Sequence, residues 1–168
     1  MNQMVKIYLV RHAEAQGNVE EFFQGHIDTD VSEKGRKQLE CLAERFKDIP
    51  IEEVYTSPLR RARATAEAVN KYHRLPLTVD PHIIEIYAGD WEGVRWSELP
   101  EKFPHEYELW SKQINKFKAP HGESTRQVYD RMKLAMRNIA AENNGKTIAV
   151  ISHGMAIKAY LNLSLIHI

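Results

Sequence analysis

Two histidines and a run of arginines sit in this sequence where each apolar segment ends. Arg11-His12 directly follows Ile7-Tyr8-Leu9-Val10, Arg60, Arg61 and Arg63 follow Val54-Tyr55-Thr56-Ser57-Pro58, and His153-Gly154 follows Thr147-Ile148-Ala149-Val150-Ile151-Ser152. A guanidinium grips a phosphate through two parallel hydrogen bonds. An imidazole can act as a nucleophile near neutral pH. Taken singly, each group is unremarkable: polar residues at a strand end, a solvated helix face, a histidine before a loop glycine. Their joint occurrence at successive strand ends instead describes one anion-sized spot, with two imidazoles and one or two guanidiniums around it. Of the arginines, Arg61 is expected to point inward, and Arg60 and Arg63 outward.

The elements that must position these groups follow from the apolar pattern. Ile7–Val10 and 147–151 are short, β-branched runs of the kind that form parallel strands buried on both faces. Val54-Tyr55 centres a strand over 51–56, and Leu75–Val79 a further one interrupted early by Pro76. Between them lie helical stripes. Ser32 reads as an N-cap before Leu39, Leu42, Ala43 and Phe46, and that helix stops before Pro50. Ser57-Pro58 reads as the start of a helix reaching Tyr72. Ser124 and Gln127 form a capping box ahead of Val128, Met132, Ala135, Met136 and Ile139, and Asn143-Asn144-Gly145 ends that helix. A last helix runs through Ala156, Ile157, Tyr160 and Leu161. Residues 17–31 read as an ordered loop, and 80–122 as irregular apart from a short helix around 106–117. Alternating strands and helices predict an α/β fold, a three-layer α/β/α sandwich around a mostly parallel sheet. Ligands in such sheets bind beyond the carboxyl ends of the strands. We expect one domain over 1–168, with 86–122 as an excursion over that edge.

Four motifs now resemble a known family. Leu9-Val10-Arg11-His12-Ala13-Glu14, Ser57-Pro58-Leu59-Arg60-Arg61-Ala62, Glu85 followed by Gly89-Asp90-Trp91-Glu92-Gly93, and Ser152-His153-Gly154 are similar to segments of the phosphoglycerate-mutase-like histidine phosphatase superfamily, in its broad-specificity phosphatase branch. Ala13 replaces the usual glycine after the histidine. The resemblance implies a metal-independent phosphomonoester hydrolase with a phosphohistidine intermediate. It makes His12 the nucleophile and Glu85 the proton donor and later the base. Arg11, Arg61, His153 and Asn18 bind the phosphoryl group, with Gln24 and Gly154 completing the set. Physical chemistry agrees with these roles. His12 must be neutral to attack, with its other nitrogen donating to an acceptor such as a backbone carbonyl. Two arginines and a cationic His153 would supply the charge stabilisation that Mg²⁺ supplies elsewhere. Ile83, Ile84 and Ile86 would give Glu85 partly apolar surroundings, which favour the protonated acid. Glu14 and Glu92 are expected to serve structure.

Residues 86–122 are expected to form the wall above the phosphate. Trp91, Trp96, Phe103, Tyr107 and Trp110 either line an apolar mouth or form that wall's own core, the second being favoured, and His121 reaches toward the substrate. The span from Glu85 to His153 is short beside that of the family's mutases, which favours a hydrolase. A phosphoglycerate-type mutase and a non-catalytic phospho-ligand-binding protein are the alternatives, and an intact His12 and Glu85 argue against the second. Sugar phosphates, phosphoglycerates, nucleotide monophosphates and ribazole phosphate all stay open as substrates.

The 168 residues carry 23 basic and 23 acidic side chains, so there is no global field for nucleic acid. No apolar run approaches the roughly 20 residues needed to span a bilayer. The lone cysteine, Cys41, leaves no intramolecular disulfide. A cytoplasmic protein with a small phosphorylated substrate and no cofactor, metal, membrane or nucleic-acid partner is expected; oligomeric state is not legible. The chain ends Leu163-Ser164-Leu165-Ile166-His167-Ile168, a hexapeptide that one reading frame of a common transposon sequencing adapter also encodes. The native chain is therefore expected to depart at about Leu163, leaving out C-terminal edge strands.

Overall fold

The structure, a computed structural model, describes residues 4–165. Strand β1 (Lys6–Arg11) leads through the short helix α1 (Gln16–Val19) to α2 (Glu33–Phe46). Strand β2 (Glu53–Thr56), helix α3 (Arg60–Asn70) and strand β3 (Leu77–Val79) follow. An irregular stretch holds α4 (Leu99–Lys102), α5 (Pro104–Lys112) and three single 3₁₀ turns. Helix α6 (Thr125–Glu142), strand β4 (Thr147–Ser152) and helix α7 (Gly154–Leu165) complete the described chain.

The four strands form one parallel sheet in the order β1-β4-β2-β3. β4 lies centrally, and from Ile148 to Ser152 its residues are fully buried, as its unbroken apolar run requires. Its side chains alternate between faces. Ile148 and Val150 join Val128, Met132, Met136 and Ala156 on one side, while Ala149 and Ile151 join Phe46, Val54, Ala62 and Val69 on the other. Helices α6 and α7 thus cover one face and α2 and α3 the opposite one, giving three layers. This matches the expected architecture, with every pairing among the described strands parallel.

Local differences have local causes. β1 was expected to be buried on both faces, yet among the described strands it stands at the sheet edge with half-buried side chains, because β4 takes the centre. Residues 17–19 of the expected loop belong to α1, where Ala15 N–H donates to Asn18 Oδ1 at 2.9 Å. The helix expected at 106–117 lies earlier, at Pro104–Lys112. Ser57-Pro58 does not open α3, which starts two residues later with Leu59 as its N-cap. By contrast, the Ser124–Gln127 capping box of α6 is present as expected. Residues 163–165 continue α7; the remainder of the expected C-terminal departure, 166–168, lies outside the described residues.

Candidate active site

Every strand that ends near the site ends on the same sheet edge, because the strands are parallel. Backbone bonds extend the ladder past the strands and hold their tips together: His12 N–H donates to Ser152 O and Ser57 N–H to Ile151 O, each at 3.0 Å. Residues 12, 57 and 153 are thereby neighbours. The rings of His12 and His153 lie 5.1 Å apart, centroid to centroid. His12 Nδ1 donates to the Ala13 carbonyl at 2.6 Å, the backbone acceptor expected for a nucleophilic imidazole, which leaves Nε2 as the free lone pair. Burial pushes the His12 pKa down to about 4; the Ala13 carbonyl pulls upward, and Arg61 and Arg11 push it further down. His12 is therefore neutral at pH 7.

His153 is completely buried, and its Nε2 shares a 2.6 Å hydrogen bond with Ser57 Oγ. The same oxygen also accepts from Leu59 N–H at 3.4 Å. Burial drives the His153 pKa well below its ordinary value, with Arg61 and then His12 adding to the effect. Without a ligand, these surroundings disfavour the cation expected at His153.

Arg61 is the inward arginine, 1% exposed, while Arg60 is exposed and paired with Asp28 and Asp30. Two Arg61 N–H groups donate to the Gly25 and Ile27 carbonyls, each at 2.8 Å. Its Nε and the Nδ1 of His153 are buried without a hydrogen-bond partner among the described residues. Such orphans are rare in folded proteins, and here they accompany a cleft. Arg11 is exposed and lies against Gly154, where a Cβ would stand 3.3 Å from the Arg11 Cζ. Close approach of this kind is what a glycine allows.

Glu85 does not sit in the apolar pocket that its isoleucine neighbours suggested. Its carboxylate sits at the N-terminus of α7: Oε1 accepts from Ile86 N–H and Ala156 N–H, both at 2.9 Å, and Oε2 from Met155 N–H at 3.1 Å. A helix start offers unpaired N–H groups and partial positive charge, which suits a carboxylate.

A cleft of about 280 Å³ joins these groups, lined by Arg11, His12, Asn18, Gln24, Arg61, Glu85 and Gly154 together with aromatic and aliphatic side chains. Three expected residues do not line it: His153, fully buried with its ring against that of His12, and two that lie further off. Trp91 is fully buried behind the wall, packed on Phe23 at 5.5 Å and Phe117 at 4.9 Å between ring centroids. His121 lies on the outer surface, with Nδ1 2.8 Å from Asp90 Oδ2. The favoured reading of the aromatic residues as a core of their own holds for Trp91, whereas Trp96 and Trp110 also line the cleft. Among the described residues no three His, Cys, Asp or Glu side chains are placed to hold a metal ion. No helix among them is long and apolar enough to cross a membrane.

The family profile of the histidine phosphatase superfamily, branch 1, matches residues 7–166. The chain belongs to the histidine phosphatase superfamily. It is 35% identical over 156 residues to phosphoserine phosphatase 1 of Hydrogenobacter thermophilus, covering 93% of this chain and 74% of that protein. It is 34% identical to the metal-independent phosphoserine phosphatase of Arabidopsis thaliana, covering 97% and 70%. Among solved structures, Bacillus stearothermophilus YhfR superposes with a TM-score of 0.90 at 30% identity, covering 95% of this chain and 79% of that one. A phosphoserine phosphatase mutant from Entamoeba histolytica, in complex with phosphoserine, superposes at 0.85 with 26% identity, covering 98% and 81%.

For a histidine phosphatase this cleft contains members that sequence reasoning passed over. Phe22, Phe23, Met155 and Lys158 line it. Lys158 lies one helical turn beyond Gly154, and side chains at that spacing share a face. That spacing, applied to a helix already known to begin at the site, is the signal that could have found it. Glu14 and Glu92 do serve structure: Glu14 accepts from Ser32 Oγ at 2.6 Å, and Glu92 Oε1 from His26 N–H at 2.8 Å and Ala88 N–H at 3.1 Å.

Proposed function

We propose that this histidine phosphatase hydrolyses small phosphomonoesters bearing a carboxylate, such as phosphoserine, with His12 as nucleophile and Glu85 as acid and base. The observation that carries the reading is the His12 imidazole. It is neutral, oriented through Nδ1 by the Ala13 carbonyl, and set in a cleft with Arg11, Arg61 and the Glu85 carboxyl. Two of the similar proteins named above are phosphoserine phosphatases, which supports this substrate class. So does Lys158, a cation beyond the phosphate-binding set on a cleft wall that is otherwise apolar around Phe22, Trp96, Trp110 and Met155.

The reaction runs in two displacements. His12 Nε2 forms a bond to phosphorus as the ester P–O bond breaks, and the departing alkoxide takes a proton from Glu85, whose protonated form the negative charge of the bound ester favours. The equatorial oxygens meet Arg11, Arg61, Asn18 and His153, with Gln24 and the Gly154 backbone beside them. The negative charge of the phosphoryl group counters the influence of Arg61 and draws a proton onto His153, which then donates toward the phosphate. The alcohol leaves. Glu85, now a carboxylate, takes a proton from water; the hydroxide oxygen bonds to phosphorus, the N–P bond breaks, and inorganic phosphate departs with His12 neutral again. The protein's own cations carry the charge, so excess EDTA leaves the rate unchanged.

Hydrolysis of p-nitrophenyl phosphate and phosphoserine, in EDTA, by wild type and His12→Ala tests the reading. Activity falls by about 10³-fold or more in the variant, and acid quenching of the wild type traps acid-labile phosphate on nitrogen. Turnover that survives in His12→Ala overturns the assignment. Conversion of phosphoglycerate to its isomer without release of phosphate would favour the mutase instead.

A further inference from the structure

The backbone that carries Glu85 is gripped by a side chain outside the chemistry just described. Arg131 lies on α6, and all of its N–H donors are engaged. Nη1 donates to the His82 carbonyl at 2.9 Å and the Ile84 carbonyl at 2.7 Å, and Nη2 donates to the Glu85 carbonyl at 2.9 Å. Nε and the second Nη2 proton go to the two oxygens of Glu123 at 2.8 and 3.0 Å. Glu123 Oε2 in turn accepts from Tyr87 N–H at 2.8 Å. Burial pushes the Glu123 carboxyl up, but its bonds to Arg131 and that residue's charge outweigh burial, so it titrates below its usual range. A second donor, His26 Nε2, lies 2.8 Å from the same Glu85 carbonyl, with its ring against Tyr87. The catalytic segment is thus held at its backbone from α6, while its carboxylate is held by the start of α7.

We propose that Arg131, braced by Glu123, is a positioning residue for general acid–base catalysis: it fixes residues 82–87 so that the Glu85 carboxyl meets the leaving oxygen. This rests on the reading of Glu85 as the acid. The argument is one of donor geometry. A guanidinium offers five N–H groups in a rigid fork, and here three of them converge on the carbonyls of the short segment ending in Glu85. A lysine cannot reproduce that pattern. A displacement of about 1 Å at a catalytic group can cost on the order of 10²-fold in rate.

The test exploits leaving groups. An alkoxide must be protonated as it departs, whereas p-nitrophenolate leaves without help. We compare kcat/KM for an alkyl monoester (phosphoserine or, at higher concentration, glycerol phosphate) and for p-nitrophenyl phosphate, in wild type, Arg131→Met, Arg131→Lys and Glu85→Gln. Both Arg131 variants are expected to lose on the order of 10²-fold on the alkyl ester and less than about 3-fold on the aryl ester, with Glu85→Gln showing the same pattern more strongly. A merely structural role lowers both substrates alike, in step with the loss of folded protein. Equal losses in the Arg131 variants, or none, overturn the inference while a selective Glu85→Gln leaves the acid assignment standing. Equal losses in Glu85→Gln remove that assignment and the inference with it. If Arg131→Met does not fold, Arg131→Lys gives the same comparison.

Discussion

Burying an imidazole beside Arg61 and Arg11 has a consequence for stability as well as for chemistry. The pKa of His12 is about 4 in the folded chain against 6.5 in the ordinary side chain. Between those values the unfolded chain binds a proton that the folded chain does not. Folding therefore gains stability as pH rises through this window, and the gain is complete above pH 6.5. The gap corresponds to about 3 kcal/mol. His153, shifted in the same direction, adds to it. Urea midpoints measured from pH 4 to 7.5 should climb steeply, and His12→Asn should flatten part of the slope; an unchanged slope would show that His12 is not buried as a neutral group. Lys158 makes a different prediction. It stands on the wall of the proposed substrate site, so Lys158→Met raises KM for phosphoserine by about tenfold and hardly alters p-nitrophenyl phosphate. The same factor for both esters would place Lys158 outside carboxylate recognition.

At the scale of elements, the connection carrying Glu85 is stitched to the segment before α6. Asp90 N–H donates to Pro120 O at 3.0 Å, and Glu123 N–H to Tyr87 O at 2.8 Å. Gly89 makes this possible: its φ is +52°, and a Cβ there would run into the Pro120 carbonyl. Gly89→Ala costs about 2–4 kcal/mol, readable as a fall in the thermal midpoint, and a neutral result would show that the two segments part easily. Much of the element plan was legible because it rests on local signals: the apolar run of β4, the capping box at Ser124, the inward face of α3 that selects Arg61. What was not legible is tertiary. Ser57-Pro58 has the composition of a helix start, but its hydroxyl serves His153, more than ninety positions away in sequence, and the helix begins after Leu59. Ile83 and Ile86 are buried in the core, while the carboxylate finds α7. Glu123 and Arg131 were visible only as parts of a motif and a helix, because neither spacing nor type announces four side-chain bonds to one distant segment. His121 is expected at the substrate and an outward turn puts it elsewhere, while Trp91 falls in the wall's own core, the favoured of its two readings.

At the scale of the whole molecule, the site is a product of topology. Arg11-His12, Ser57 and His153 come from three strands, and only the parallel register, Arg11 opposite Ser152 and Thr56 opposite Ile151, brings them to one edge. The alternation of strands and helices announced this, whereas the order of strands was not readable, since no local signal says which strand lies centrally. A chain cut after Lys146 removes the strand to which β1 and β2 both pair, so it should unfold without a cooperative transition in urea and show no phosphatase activity; cooperative unfolding of that fragment would contradict the central place of β4.

That central place also bears on how the chain emerges from a ribosome. The keystone of the sheet is made after the other three described strands, and Lys6 waits for Thr147 before it has that partner. Until β4 is made the first strand is an unclaimed apolar ribbon, open to mispairing with neighbouring nascent chains. Yield in a cell should therefore depend more on chaperone supply during translation than on the stability of the finished fold.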